Sequence, residues 1–331
     1  MSNFIDNIGI ENFKSIQSCL IRDCKRINLF IGRPNVGKSN ILEALSLLSI
    51  PFLKENTSKK LSDLIRLEHE AELFNNGNTH HDAVVYTNIG ACSLGYHPKD
   101  GLVGRVNFDL LDSAPFFSIR IDEKLKVKVI GNYTAFESPV KRYNYKQNVV
   151  YKKGHAKYLV PPNGYNLLSI IENYAELQKQ VRELFGEYGL EIAFDKASQT
   201  LKIIQKGNDE LFLVPYNSVA DTLQRIIFYK AAIASNENSV LLFEEPEAHS
   251  FPPYMTHLTQ EMIFKKSNQY FVVTHSPFIL NDLLENARDE LAVFIVHYES
   301  YETKVRQLTK EDLHEVFQNG IDLFTNSESF I

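Results

Sequence analysis

Three short segments dominated by apolar residues stand out along the chain, and each is followed directly by glycine or polar residues. They cover residues 26–31, 239–243 and 269–273. Apolar runs of this length, rich in Ile, Val and Phe, predict buried β-strands. Behind the first run, residues 41–48 carry apolar side chains at helical spacing. We therefore expect an α/β protein with a mixed central sheet.

The remaining pattern predicts an antiparallel region followed by a helical one. Strands are expected over 83–87, 116–121, 125–129, 190–194, 200–205 and 210–215, and helices over 61–74, 165–188 and 219–235. The first strands alternate apolar and polar positions, which predicts an antiparallel β subdomain over about residues 80–160. The amphipathic spacing that follows predicts a helical insertion at about 165–189. The whole chain, 1–331, is expected to form one domain.

Composition narrows the class of protein. The chain has 331 residues, of which 44% are hydrophobic and 23% charged, and its formal net charge is −6. This charge argues against a protein that coats nucleic acid through bulk positive charge. No apolar run approaches the roughly 20 residues that cross a membrane, and the N-terminus lacks the pattern of a secretion signal. With three cysteines that form no metal-type cluster, we expect a cytoplasmic protein with reduced thiols.

The segment after the first strand has the phosphate-loop pattern G-x-x-x-x-G-K-[ST]. The expected nucleotide contacts are this loop and the residue after it: Gly32, Arg33, Pro34, Asn35, Val36, Gly37, Lys38, Ser39 and Asn40. A glycine loop between strand and helix surrounds a polyphosphate with backbone N–H groups and a helix N-terminus. Lys38 is expected to reach the β- and γ-phosphates, and the Ser39 hydroxyl to bind Mg²⁺. GTPases need further motifs after the loop that are missing here, so the predicted cofactors are ATP and Mg²⁺.

Two carboxylates and a histidine follow the other two strands. Glu244 and Glu245 end a strand of the Walker B type. Glu244 is expected to hold Mg²⁺, although Asp is the usual residue, and Glu245 to polarise the attacking water. His275, in the turn after the third strand, can hydrogen-bond the γ-phosphate and sense its loss. A lone histidine after a strand more often has a structural role, but its place in this series favours the functional one.

The order of phosphate loop, E-E-P-E strand end and T-H-S-P turn resembles P-loop NTPases of the ATP-binding-cassette (ABC) type, in the SMC, RecF and overcoming-lysogenization-defect group. It is most similar to the stand-alone AAA-family ATP-binding proteins of prokaryotic phage-defence systems. The opening segment, residues 10–16, also resembles the first strand of that group. The resemblance covers the first fifty residues and about residues 217–296, while the middle of the chain is generic.

This resemblance implies an SMC-head-like fold and a homodimer that closes on ATP. It makes Glu245 the catalytic base, with Lys38 and His275 as the other catalytic residues, and Ser39 and Glu244 as the magnesium ligands. By the resemblance alone, the chain would be a sensor or regulator of a separate effector protein in anti-phage defence.

The segment that should cap the partner's nucleotide departs from the S-x-G signature of that group. The candidate is Ser218, with alanine where the glycine is expected. Ser218 could present its hydroxyl to the γ-phosphate of a second copy, or cap the next helix together with Asp221 as a capping-box variant. The two roles are compatible. Neither Gln17 nor Gln147 has the context of a Q-loop glutamine.

Two other functions stay open. A DNA-repair ATPase of the RecF kind would show DNA-stimulated turnover. An ATP-gated scaffold would dimerise and barely hydrolyse, which the missing signature glycine favours. Residues 141–158 are basic and rich in tyrosine, a composition that suits single-stranded nucleic acid or an acidic partner. A solvated hairpin face has a similar composition and is commoner.

Overall fold

The computed structural model describes residues 3–56, 58–108, 116–130, 137–195, 200–206, 211–250 and 252–331. Its strands are β1 (Ile8–Phe13), β2 (Ile16–Ile21), β3 (Ile27–Ile31), β4 (Ala83–Thr87), β5 (Gly90–His97), β6 (Gly101–Asn107), β7 (Phe116–Ile121), β8 (Val127–Ile130), β9 (Val140–Tyr143), β10 (Glu191–Asp195), β11 (Thr200–Lys206), β12 (Leu211–Pro215), β13 (Val240–Glu244), β14 (Gln269–Val273), β15 (Leu291–Glu299) and β16 (Glu302–Gln307). Its α-helices are α1 (Lys38–Ser46), α2 (Leu167–Asn173), α3 (Ala175–Gly186), α4 (Asp221–Ala234), α5 (Pro252–Phe264), α6 (Pro277–Asn286), α7 (Lys310–Asn319) and α8 (Leu323–Asn326).

The central sheet has the strand order β16-β15-β3-β14-β13-β9. Strands β15, β3, β14, β13 and β9 pair in parallel, and β16 joins the edge in antiparallel pairing with β15. The three apolar runs predicted as buried strands are β3, β13 and β14. Buried parallel strands are apolar on both faces because other layers cover each face.

Alternation along these strands divides the core into two layers. In β3, Leu29 and Ile31 pack into the cluster that includes α2 to α6, whereas Phe30 packs into the cluster that includes α1 and the antiparallel sheet. In β13, Leu241 and Leu242 divide in the same way. Successive side chains of a strand point to opposite faces, so one short run contributes to both layers.

The second layer contains a seven-stranded antiparallel sheet with the order β2-β1-β4-β5-β6-β7-β8. It includes the strands predicted from the alternating segments, and it also takes in β1 and β2 from the N-terminal part of the chain. Strand β9 lies in the central sheet instead, paired with β13. The sheet therefore does not coincide with the segment of about 80–160 that the sequence predicts as a subdomain.

The predicted helical insertion is two helices, α2 and α3, which meet at Tyr174. A three-stranded antiparallel sheet, β10-β11-β12, follows them. Leu177, Val181, Leu184 and Phe185 form the buried face of α3. The amphipathic spacing thus located the helices correctly but not the break between them.

The helix predicted over 61–74 is wrong. This segment contains two short 3₁₀-helices, Leu61–Asp63 and Glu70–Leu73. Its backbone bonds to distant parts of the chain instead, since Leu61 N–H donates to Leu125 O at 2.8 Å and Phe74 forms a bridge with Phe13 of β1. The apolar residues of the segment are buried by these tertiary contacts rather than along one face of a helix. No helix among the described residues has the length and apolar character needed to cross a membrane.

We predict that Gly37→Ala destabilises the protein. Gly37 is the N-cap of α1 with φ of 97°, and a Cβ there would lie 2.0 Å from Thr303 Oγ1 and 2.8 Å from Ser15 Oγ. Strain of this kind costs about 1–3 kcal/mol. Equilibrium unfolding in urea should show the loss. Gly186→Ala is the matched control, because a Cβ at Gly186 meets nothing within 4 Å. Equal unfolding midpoints for the two variants would contradict the prediction.

Candidate functional site

The central sheet brings the three sequence motifs to one edge. Strand β14 lies between β3 and β13, and all three are parallel. Their carboxyl ends therefore lie side by side, at the roughly 5 Å spacing of paired strands. Lys38, at the start of α1, and Glu245 and His275, in the loops after β13 and β14, follow these strand ends. Ligands of open α/β sheets bind at this edge.

Glu245 is close enough to affect the pKa of both Lys38 and His275. Burial lowers the pKa of Lys38 to about 8, and the Glu245 carboxylate opposes this shift. Burial also lowers the pKa of His275, with Lys38 adding to the effect and Glu245 opposing it. His275 Nε2 lies 3.5 Å from Glu245 Oε1. His275 is therefore a neutral imidazole near pH 7, able to both donate and accept a hydrogen bond.

Lys38 folds back onto its own loop. Its Nζ donates to Gly32 O at 2.9 Å and to Arg33 O at 2.6 Å. Gly32 has a close neighbour, since a Cβ there would lie 2.2 Å from Val296 O in β15. The first glycine of the motif is thus required by the packing of the loop against the adjacent strand.

A chain of hydrogen bonds between side chains also holds the phosphate loop in place. Asn40 Nδ2 donates to Ser15 Oγ at 2.6 Å, which lies 2.6 Å from Thr303 Oγ1, and Thr303 Oγ1 donates to Val36 O at 2.9 Å. The Asn40 side chain, predicted to contact nucleotide, is therefore engaged in holding the loop. Sequence reasoning missed Thr303, which lies far from the motif along the chain.

The remaining loop residues differ in exposure. Arg33, Pro34 and Asn35 are exposed, and Val36 is buried. Arg33 Nη1 forms an ion pair with Glu328 Oε1 at 2.8 Å. The tip of the loop therefore faces solvent, while its two ends are fixed by the sheet and by α1.

Glu244 is held by two arginines that the sequence motifs do not include. Arg142 Nη2 pairs with its Oε2, and Arg66 Nη2 lies 3.1 Å from its Oε1. Ser39, the predicted magnesium ligand, is near enough to this carboxylate to help lower its pKa. Burial raises the pKa of Glu244, but Arg142, Ser39 and Arg66 together outweigh burial and lower it. The carboxylate is therefore ionised, and its oxygens and the Ser39 hydroxyl are the type of ligand that Mg²⁺ prefers.

A second buried carboxylate extends this network. Glu43, in α1, pairs with Lys14 and with Arg66, whose Nε lies 2.9 Å from Glu43 Oε1. Arg66 thus bridges Glu43 and Glu244. In sequence, a glutamate inside an apolar helix next to the phosphate loop was the available signal, since a buried carboxylate requires partners.

Glu247 fixes the turn that carries His275. Its Oε1 accepts hydrogen bonds from Thr274 Oγ1 at 2.6 Å and from His275 N at 2.8 Å. Burial raises the pKa of Glu247 despite these bonds, and its Oε2 has no hydrogen-bond partner among the described residues. Glu245, two residues before Glu247, has a backbone φ of 41°, and its N–H donates to Val273 O at 2.8 Å. The end of β13 and the end of β14 are therefore tied together.

Ser218 lies outside these contacts. It is exposed and ends a 3₁₀-helix, Tyr216–Ser218, whereas α4 begins at Asp221 with Ala220 as its N-cap and no side-chain cap. The predicted capping of α4 by Ser218 is therefore wrong. Asp221 instead accepts from Tyr145 Oη and Gln147 Nε2, each at 2.8 Å. In the described part of the chain, no contact joins Ser218 to the phosphate loop, Glu244, Glu245 or His275.

The basic segment 141–158 places three of its four tyrosines in the interior. Its buried residues are Lys141, Arg142, Tyr143, Tyr145 and Tyr158. Lys141 Nζ donates to Asn236 Oδ1 and lies 4.2 Å from the centre of the Tyr158 ring. These tyrosines are not available for stacking on bases. The exposed positive charges that remain include those of Lys152, Lys153 and Lys157.

Comparison with solved structures confirms the predicted fold class. The chain aligns with a crystal structure described as the SMC head bound to the C-winged helix domain of ScpA, with a TM-score of 0.51 and 14% identity, covering 94% of this chain and 99% of that one. An SMC head domain with an extended coiled coil, bound to the C-terminal domain of ScpA derived from Pyrococcus furiosus, has a TM-score of 0.48 and 12% identity over 96% and 99% of the two chains. The fold is thus that of a P-loop NTPase of the ABC type, with mixed sheets that include an antiparallel one.

Sequence comparison reaches a smaller part of the chain. The DNA replication and repair protein RecF of Caldanaerobacter subterraneus subsp. tengcongensis is 31% identical over 67 residues, which are 20% of this chain and 18% of that protein. The match thus spans less than a fifth of the curated relative. No protein-family model matches the chain. The similarity supports an SMC- and RecF-like ATPase fold.

We predict that Glu247→Ala destabilises the protein more than Glu247→Gln. Alanine leaves the buried Thr274 hydroxyl and His275 N–H without an acceptor, at a cost of about 1–3 kcal/mol for each group. Glutamine keeps an oxygen there and removes a buried charge. Urea unfolding measures the difference, and Glu237→Ala is the control because Glu237 is an exposed residue paired with Lys265. Equal losses for the alanine and glutamine variants would show that these hydrogen bonds are not responsible.

Proposed function

We propose that the chain binds ATP with Mg²⁺ at the carboxyl edge of the central sheet and hydrolyses it. The observation that carries this proposal is the meeting of Lys38, Glu245 and His275 at one edge, where their charges influence one another. The three residues come from three separate strand ends of an ABC-type fold. A phosphate loop alone would support binding, and the carboxylate beside it supports hydrolysis.

The residues present allow each role to be assigned. Lys38 would exchange its two loop carbonyls for phosphate oxygens, and the backbone N–H groups of residues 35–39 would surround the β-phosphate. Ser39 and Glu244 carry oxygen ligands and lie near enough for Ser39 to affect the pKa of Glu244, so they fit one shared Mg²⁺ ion. When bound, this ion supplies neutralisation of charge on the phosphate oxygens.

Glu245 is the proposed general base. It is half exposed and lies next to the neutral His275, so it can accept a proton from a water molecule placed between the sheet edge and the γ-phosphate. His275 can donate a hydrogen bond to a γ-phosphate oxygen without the cost of first taking up a proton. Glu247 would keep His275 in place through the turn, as a positioning residue.

A second copy of the chain would complete the site. Ser218 is exposed, and the tip of the phosphate loop is exposed as well, so an exposed hydroxyl of one copy can approach the loop of the other. By the resemblance to ABC-type ATPases, two copies of the fold would meet across their nucleotides. We therefore propose an ATP-dependent homodimer in which Ser218 contacts the nucleotide across the interface.

The biological setting is proposed on the sequence resemblance alone. By this resemblance, the chain would act as the sensor or regulator of a separate effector protein in anti-phage defence. The local match to RecF supports a DNA-repair role as the second candidate, and Lys152, Lys153 and Lys157 offer exposed positive charge to nucleic acid. DNA-stimulated turnover would distinguish the second role from the first.

We predict that Glu245→Gln abolishes turnover and preserves ATP binding. Loss of a general base lowers the rate by about 10²–10⁴-fold, so phosphate release should fall and ATP-bound dimers should accumulate in size-exclusion chromatography. Glu237→Gln serves as the control for a neutral change outside the site. Equal rates of phosphate release in the wild type and Glu245→Gln would exclude Glu245 as the base. Hydrolysis that is negligible even in the wild type would favour the scaffold function.

We also predict that ATP affinity falls as the pH rises above about 8. The pKa of Lys38 lies near 8, so the cationic form that attracts phosphate dominates below this pH and is lost above it. Each further pH unit should weaken binding by up to about tenfold. Dissociation constants measured from neutral to alkaline pH test this. Lys38→Arg should flatten the dependence, because arginine stays protonated throughout, and an unchanged slope in that variant would exclude Lys38 as the cause.

A further inference from the structure

Arg142 occupies an unusual position beside the proposed magnesium site. It lies in β9, directly opposite Leu242 in the parallel pairing with β13, and only 2% of its side chain is exposed. Its Nη2 donates to Glu244 Oε2. Its Nε and Nη1 have no hydrogen-bond partner among the described residues. Glu244 is therefore the group that balances the charge of a buried guanidinium.

The two oxygens of Glu244 have partners of different kinds. Oε2 faces Arg142, which is buried and fixed in a strand, whereas Oε1 faces Arg66, whose side chain is 68% exposed. Arg66 also pairs with Glu43, so it can leave Glu244 and still keep a carboxylate partner and water. Arg142 has neither alternative. A buried charge that loses its partner is strongly unfavourable, so the bond to Oε2 is the one that persists.

We propose that Arg142 is a positioning residue that holds Glu244 by Oε2 and leaves Oε1 as the oxygen offered to a divalent cation. This inference rests on the proposed function, because it concerns how this chain would present its carboxylate to Mg²⁺. Partners that orient the ligands of a metal tune its binding without touching it.

A different account is that Arg142 and Glu244 form a structural ion pair with no bearing on metal. The two accounts differ in one measurable quantity, the Mg²⁺ concentration that promotes nucleotide binding. A structural pair affects stability and leaves this concentration unchanged. A positioning residue alters it through Glu244, and the alteration disappears when Glu244 loses its charge.

The experiment measures binding of a fluorescent ATP analogue by anisotropy, first in EDTA and then in a titration with Mg²⁺. Arg142→Met should need about 10–100-fold more Mg²⁺ for half-maximal enhancement of binding, with its affinity in EDTA unchanged. Glu244→Gln should show a loss of the same kind, and the double variant Arg142→Met/Glu244→Gln should show no further loss. Since the readout is binding, it does not depend on turnover.

Lys141→Met is the matched control. Lys141 is the neighbouring residue of β9 and is also a buried cation, but its side chain points to the opposite face, where it bonds to Asn236 and Ser239. This variant should lower the melting temperature and leave the Mg²⁺ requirement unchanged. If Arg142→Met does not fold, two other variants test the proposal. Arg142→Lys should raise the Mg²⁺ concentration needed for half-maximal enhancement of binding. Arg66→Gln should leave this concentration as in the wild type or lower it.

The outcomes separate this inference from the proposed function. A wild-type protein that binds no ATP analogue with or without Mg²⁺ would overturn the proposed function itself. Binding that depends on Mg²⁺ equally in the wild type and in Arg142→Met would overturn only the role of Arg142. Additive losses in the double variant would also overturn it, because Arg142 would then act independently of Glu244.

Discussion

The site depends on the parallel pairing of β14 with β3 on one side and β13 on the other. This pairing places three strand ends next to one another, although the strands are far apart along the chain. The pairing is stabilised by side chains that alternate between two buried layers, so a slip of one residue would exchange the layers. The same burial that stabilises the sheet therefore fixes where Lys38, Glu245 and His275 lie.

A second constraint is the balance of charge beneath the phosphate loop. Two acidic side chains, Glu43 and Glu244, are largely withdrawn from water, and Lys14, Arg66 and Arg142 compensate them. An unpaired carboxylate in this place would be costly or would take up a proton. With these partners Glu244 stays ionised, which is the state that a cation site requires. The network thus connects the stability of the fold to the chemistry proposed for its edge.

Local pattern predicted the elements whose burial is regular, and it failed where tertiary contacts replace local ones. The runs that became β3, β13 and β14 were recognisable because most of their consecutive positions are apolar. Residues 61–74 also have apolar positions, but their backbone groups bond to segments that precede and follow them, so no continuous α-helix forms. The tyrosines of 141–158 look like an interaction surface in sequence, yet most of those described pack into the core.

The sequence by itself determined the phosphate loop, the pair of carboxylates and the turn with His275, because each is a contiguous motif whose residue types follow from the chemistry of phosphate. It also determined that a buried sheet connects them. Only the tertiary structure decided which cations reach Glu244, since Arg142 lies 102 residues away from it and is brought there by the pairing of β9 with β13. The tertiary structure alone also decided the roles of Thr303 and Glu247, because their hydrogen-bond partners lie in segments that are distant along the chain. Such contacts depend on sheet order, which no local pattern contains.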